Sequence, residues 1–129
     1  MYLRETVDFG ITFSKKGTDT NLLSTIFVYA DAAYDTHTDS KSHTGYRISL
    51  GGPANGMFYF RSFKQTNVSL SSTEAKVNAA VEAAKEIIWL RALLAEVGLT
   101  QLELTVLYAD NKSMITLYYA QSIAVIINA

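Results

Sequence analysis

The feature that most constrains this chain is a long helical pattern over residues 72–97, set between a run of β-rich segments and one more β-rich segment. Its start is written in LSSTEAK, residues 70–76, where Ser71 and Glu74 have capping-box spacing. Gly98 marks its end as a natural C-terminal cap. A helix of that length joining two strands makes them parallel neighbours with a right-handed crossover. Within it, Val77, Ala80, Val81, Ala84, Ile87 and Ile88 share one face at a period of 3.6. Beyond Ile88 the apolar residues (Trp89, Leu90, Leu93, Leu94, Val97) lie well round the cylinder. That shift predicts a kink near Glu86, or a second half covered on a different side.

Upstream, residues 26–30, 44–50 and 57–63 read as three strands, the third rich in aromatics. The last two are separated by GGPANG, a strong turn signal, so the three form an antiparallel meander. Residues 32–43 read as a polar loop, 102–108 as a fourth strand, 112–120 as a short helix and the tail SIAVIINA as a fifth strand. The opening residues read as the end of a short helix followed by a strand over FGITFS. The expected architecture is α/β: a mixed five-stranded sheet, antiparallel meander plus parallel strands, flanked by helices. Residues 1–25 are expected to be a connecting segment and 26–129 the domain.

Composition narrows the function. The chain has 129 residues, 49% of them hydrophobic and 18% charged, which suits one globular core. A net charge of −1 excludes a globally basic nucleic-acid binder and leaves only a local patch. There are no cysteines, hence no disulfide and no cysteine-based zinc site. No leader or membrane span is visible, so an intracellular location, cytoplasmic or nuclear, is expected. Asn67 and Asn111 match the glycosylation pattern and are read as ordinary surface residues in that setting.

Three acids are placed by topology. In a parallel arrangement, ligand sites form at the carboxyl ends of strands. Asp31 ends the first strand, Asp110 follows the fourth, and Glu74 lies in the first turn of the helix that begins at the same edge. Clustered carboxylates repel one another, and a divalent cation relieves that repulsion. Mg²⁺ suits oxygen ligands, and a pair of such ions can clamp the two oxygens of a phosphodiester displacement. Each acid also has a plainer role: Glu74 or Asp110 as a helix cap, Asp31 as a loop acid.

Other groups carry weaker signals. Asp35, His37, Asp39 and His43 offer transition-metal ligand types within one loop, although solvated loops commonly carry such residues. Lys41, Arg47, Arg61 and Lys64 offer a basic strip on the meander for phosphate contacts. Tyr34, Tyr46, Phe58, Tyr59 and Phe60 read mainly as core or sheet-face residues, with base stacking open to one of them. Trp89, Leu93 and Val97 read as buried within the domain, with a partner-facing role as the alternative. The apolar tail IAVII offers an edge for pairing between chains, so a homodimer through the tail or the second half of the helix is the corresponding partner expectation.

The segments YADAAYDTHTDSKSHTGYRISLGG, FRSFKQTNVSLSSTEAKVNAAVEAAKEIIWLRALLAEVGL and LYADNKSMITL together resemble the ribonuclease H domain of Ty1/copia-type retrotransposon polyproteins. The resemblance covers about residues 27–117, and YLRETVDFGITF resembles the connection that follows the reverse transcriptase there. It implies a five-stranded mixed sheet with helices on both faces. It implies metal-dependent hydrolysis of the RNA strand of RNA–DNA hybrids, with Asp31, Glu74 and Asp110 as catalytic metal ligands and Mg²⁺, or Mn²⁺, as cofactor. It also implies a partner in the reverse transcriptase part of the same polyprotein. Several positions depart from the pattern. No acid follows Asp110 in residues 111–129, so these residues are not expected to supply the family's fourth ligand or its basic tail. Ala33-Tyr34 stands where the family usually has Trp. Lys76-Val77 replaces a Glu-Tyr pair, which puts a positive charge two residues from Glu74. The alternative is therefore a catalytically dead remnant of the fold that binds nucleic acid or protein.

Overall fold

The computed structural model describes residues 2–13, 25–52, 55–110 and 123–127. Five strands form one sheet: β1 (Ile26–Ala33), β2 (His43–Leu50), β3 (Met57–Lys64), β4 (Thr105–Ala109) and β5 (Ile123–Ile127). Their order is β3-β2-β1-β4-β5. The meander is antiparallel, whereas β4 runs parallel to β1, and β5 parallel to β4. The expected mixed sheet is thus present. A short α1 (Tyr2–Glu5) precedes it, and α2 (Ser72–Glu96) makes the crossover from β3 to β4.

The core lies between α2 and one face of the sheet. Ile26, Val28 and Ala30 of β1, Tyr46 and Ile48 of β2, and Leu107 and Ala109 of β4 point to that face. The alternation is what a half-buried strand requires. Each large aliphatic side chain buried there contributes roughly 1.5–3 kcal/mol.

α2 corrects two expectations. It is one unbroken helix, and its buried residues form a single stripe: Ala75, Ala79, Ala80, Ala83, Ile87, Leu90 and Leu94. Small alanines in the first half let the helix axis approach the sheet, and larger side chains fill the second half. Ile88, Trp89 and Val97 are 60%, 59% and 64% exposed, so the expected burial of Trp89 and Val97 does not occur; Leu93 is exposed as well. A pattern-based reading favours the bulky residues and so sets the rotational phase wrongly. The helix ends as expected. Gly98 adopts φ +82°, and its N–H and that of Leu99 donate to the carbonyls of Ala95 and Leu94, the two bonds of a Schellman cap.

β4 is shorter than the pattern over 102–108. Leu102 and Leu104 are exposed, and pairing starts at Thr105. Arg91 holds the preceding loop by donating to the carbonyls of Gln101 and Glu103 and to the Thr105 hydroxyl. At the N-terminus, residues 9–13 form no strand; Thr12 only accepts one backbone bond from Gly56. That contact needs a glycine, because a Cβ at Gly56 would stand 2.6 Å from the Ile11 side chain and 2.8 Å from the Thr12 carbonyl oxygen. The tail does supply a strand, and β5 pairs within the sheet of its own chain. Nothing observed supports a homodimer through it or through α2. The helix expected over 112–120 lies outside the described residues. Among those residues, no helix is long and apolar enough to cross a membrane.

Candidate functional site

The site is built at the rim where the pairing of β1 with β4 ends. Their parallel register ends at Ala30 beside Ala109, so Asp31 and Asp110 are the first residues past the β1–β4 ladder; Asp31 does not end its strand as expected, because β1 continues to Ala33 along β2. Both side chains are open to solvent, 71% and 83% exposed. The Asp31 carboxylate accepts a hydrogen bond from the Ala32 N–H at 2.8 Å.

Lys76 stands between the two. Its Nζ lies 3.6 Å from Asp31 Oδ1 and 3.5 Å from Asp110 Oδ2, and it donates to the Asp110 carbonyl oxygen at 2.8 Å. The lysine side chain is only 23% exposed, so its stem is packed while the head joins the acids.

Glu74 does not join them. Its carboxylate accepts from the Leu70 N–H at 2.7 Å, and its own N–H donates to Ser71 Oγ at 3.1 Å. Ser71 is the N-cap in extended conformation, so this is a capping arrangement. The reason is helical phase. Residues two apart on an α-helix point roughly 200° apart, so a turn that aims Lys76 at the β1–β4 rim aims Glu74 away from it. Among the described residues, no three His, Cys, Asp or Glu side chains are grouped to hold a metal ion. As placed, then, the donor set does not fit Mg²⁺ or Mn²⁺: an ammonium occupies the space between two carboxylates, and the third acid is engaged in a cap.

The site is held by a buried polar network that motif reading did not single out. Gln65, just past β3, donates to Thr44 Oγ1 at 2.9 Å and to the Ala75 carbonyl at 2.8 Å, and accepts from Ser69 Oγ. Asn78 donates in turn to Ser69. This fixes the first turn of α2, and with it Lys76, relative to the sheet. A glutamine after a strand, with Ser69 ahead of the N-cap and Asn78 two turns beyond it, was the available signal. Glu86 makes a second tie, accepting from the Tyr46 and Tyr59 hydroxyls and lying 3.9 Å from Arg61. Burial first, then the Glu86 charge, pushes the Tyr46 hydroxyl up to about 12. The hydrogen bond to Tyr46 leads the causes that raise Arg61.

The four expected nucleic-acid contacts are not one strip. Register puts Arg47 opposite Tyr29 and Phe60, on the face away from α2, with its guanidinium 4.5 Å from the Tyr29 ring centre. Arg61 pairs with Tyr46, on the helix face, and lies over Phe63. Lys64 and Lys41 both contact Asp39, at 2.7 and 3.8 Å, and the Lys64 hydrogen bond holds the Asp39 carboxyl below its usual value.

The loop residues of transition-metal ligand type, read as ordinary loop residues, are engaged in internal bonds. His37 Nε2 and His43 Nδ1 share a hydrogen bond at 3.1 Å, His43 Nε2 bonds Ser62 Oγ, and Asp39 is held by the lysines. Of the aromatics, Tyr46 is core, whereas Tyr34, Phe58 and Phe60 are exposed. On the face away from α2, Tyr29 and Tyr108 stack at 4.8 Å. With Arg47, Met57 and Phe60 they line an open hollow of about 520 Å³ that has Asp31 and Asp110 among its bordering residues.

Comparison with known proteins agrees with this arrangement at the level of fold and ancestry. No protein-family model matches the chain. It is 43% identical over 90 residues, 69% of its length, to the Retrovirus-related Pol polyprotein from transposon TNT 1-94 of Nicotiana tabacum. It is 38% identical over 111 residues, 85% of its length, to that from transposon RE2 of Arabidopsis thaliana. The chain spans only 6% and 7% of those polyproteins. It is also 37% identical over 90 residues, 69% of its length, to Secreted RxLR effector protein 161 of Plasmopara viticola, and spans 58% of it. Among solved structures, LC11-RNase H1, isolated from compost by a metagenomic approach, superposes with a TM-score of 0.51 at 12% identity. That match covers 71% of this chain and 58% of the other. The same protein in complex with an RNA/DNA hybrid gives 0.50 at 12% identity, over 74% and 64% of the two chains. The chain is thus a homologue of a segment of the Pol polyproteins of Ty1/copia-type retrotransposons, and it is folded like a ribonuclease H.

Proposed function

We propose that this chain is a ribonuclease H-type domain that engages RNA–DNA hybrids without hydrolysing them. The observation that carries this reading is the Lys76 ammonium between Asp31 and Asp110, with Glu74 turned to the helix cap. A site for metal-assisted phosphodiester hydrolysis needs carboxylates free to take up divalent cations. Here one of the three is in a cap and the other two share one ammonium, which occupies the place between them. Support for the ligand class comes from the ribonuclease H likeness and the Pol ancestry. Among the described residues, Arg47 on the open face would offer a phosphate contact, and Lys41 and Lys64 would do so by exchanging Asp39 for phosphate; such contacts position a duplex without reading its sequence. In a longer polyprotein the natural partner would be the reverse transcriptase part.

The second reading, metal-dependent hydrolysis of the RNA strand, is favoured by Asp31 and Asp110 side by side just past the parallel β1–β4 ladder. One experiment separates the two. A labelled RNA–DNA hybrid is incubated with the protein and with Asp31→Asn, in Mg²⁺ or Mn²⁺, and both retention and cleavage are followed. Retention of the hybrid by both proteins, without cleavage, is the expected result. Cleavage that the Asp31→Asn protein lacks would establish the enzyme instead, and no retention would overturn both.

A further inference from the structure

We infer that Lys76 is a resident cation that keeps a latent divalent-metal site closed, and that removing its charge opens the Asp31–Asp110 pair to a metal ion. This deepens the binding-only reading, and rests on it in taking both aspartates to be engaged by the lysine.

The argument starts from what the two carboxylates lack. Asp31 and Asp110 are the residues just past the β1–β4 ladder at one rim, and each is largely solvated. Two anions so placed repel, and some cation has to relieve the repulsion. A single ammonium does so by touching both, at 3.6 and 3.5 Å. Its shortest contact, 2.8 Å, is to the neutral carbonyl oxygen of Asp110, so its position does not depend on the acids alone. The aliphatic stem is packed, and its root lies one residue beyond Ala75, which is fully buried and accepts from Gln65. The lysine is therefore delivered by the fold; it is not a mobile surface charge that met an acid by chance. A divalent ion at this pair would sit against a positive head held within 4 Å of the same oxygens, where like charges repel appreciably even near a protein surface. The two cations compete for one place.

The phase of α2 makes the lysine the deciding residue. The same turn that brings residue 76 to the rim carries Glu74 to the opposite side. An uncharged side chain at 76 leaves two carboxylates and a carbonyl oxygen facing solvent at the rim, oxygen donors of the kind hard divalent cations accept.

The test uses the full chain and no nucleic acid. Mn²⁺ is titrated into wild type, Lys76→Gln, Lys76→Gln/Asp31→Asn and Lys76→Arg, with binding read from loss of the free-Mn²⁺ paramagnetic resonance signal. Thermal melts confirm folding, and Lys76→Met, which keeps the packed stem, replaces the glutamine variant if that one does not fold. The expected result is at least a tenfold gain in Mn²⁺ affinity for Lys76→Gln. The gain should vanish in the double variant and be absent in Lys76→Arg. Wild type binding Mn²⁺ through Asp31 as tightly as Lys76→Gln would overturn the inference, as would a folded uncharged variant that gains nothing. Because no hybrid is present, a protein that retains hybrid yet shows no gain sinks this inference alone. A protein that gains Mn²⁺ but retains no hybrid sinks the proposed function alone.

Discussion

The Gln65 carboxamide donates to the backbone carbonyl of Ala75 at 2.8 Å, fastening the end of β3 to the first turn of α2. Both residues are buried, and the same amide reaches Thr44 on β2. Gln65→Leu has nearly the right size but leaves Thr44, Ser69 and the Ala75 carbonyl without this partner. Buried polar groups stranded in that way cost about 1–3 kcal/mol each where water cannot replace the bond. We expect a loss of roughly 2–4 kcal/mol in urea denaturation, and a larger loss than for Asn78→Ala, whose bond lies at the edge of the network.

At the start of α2, Ser71→Ala removes the acceptor of the Glu74 N–H and is expected to cost about 1 kcal/mol. Glu74→Gln keeps an oxygen for the Leu70 N–H and should change stability by only a few tenths of a kcal/mol. Denaturant midpoints check both. Metal titration of Glu74→Gln should match wild type if capping is the work of this side chain.

Tyr46 couples stability to alkaline pH. Its hydroxyl is pushed up to about 12 by burial and by the Glu86 charge. A folded value above the unfolded one, about 10 for tyrosine, means that the native state holds the proton more tightly. The tyrosine contribution is therefore complete below about pH 10 and is lost as pH rises from there towards about 12. Two units correspond to roughly 2–3 kcal/mol at the top of that window. Tyr46→Phe should be less stable at neutral pH through the lost bond to Glu86, yet show a shallower decline above about pH 10 in parallel denaturation series.

The alanine stripe of α2 sets how near the helix lies to the sheet. Ala79 and Ala83 are fully buried. Ala83→Leu should destabilise by about 1–3 kcal/mol through overpacking, whereas Ile87→Ala should cost about 2–5 kcal/mol through the cavity it leaves. Trp89→Ala, on the exposed side, should stay within about 0.5 kcal/mol of wild type. Thermal melts of the three variants read the helix phase directly.

How far the chain could be read in advance depends on the range of the forces involved. β1, β2 and β3 were legible from alternation and from the GGPANG turn, and β1 overran its expected end only because Asp31, Ala32 and Ala33 still pair with β2. β4 was placed three residues early because exposed Leu102 and Leu104 mimic the alternation of a strand. That Asp31 and Asp110 are neighbours followed from the parallel topology, although Asp31 lies within β1 and not at its end. Glu74 was assigned by the same reasoning to the same rim, but its side chain turns to Leu70.

Local chemistry, read along the chain, determined the order of strands and helix, the meander, the capped ends of α2 and the parallel crossover. These depend on neighbours a few residues apart and on the handedness of the backbone. Only tertiary packing decided which stripe of α2 meets the sheet, because the period of a helix marks a face without saying how small a residue the facing sheet demands. That choice of phase brought Lys76 to Asp110, 34 residues away, and carried Glu74 off. The charge at the rim is thus a property of the packed helix, and no stretch of sequence taken alone contains it.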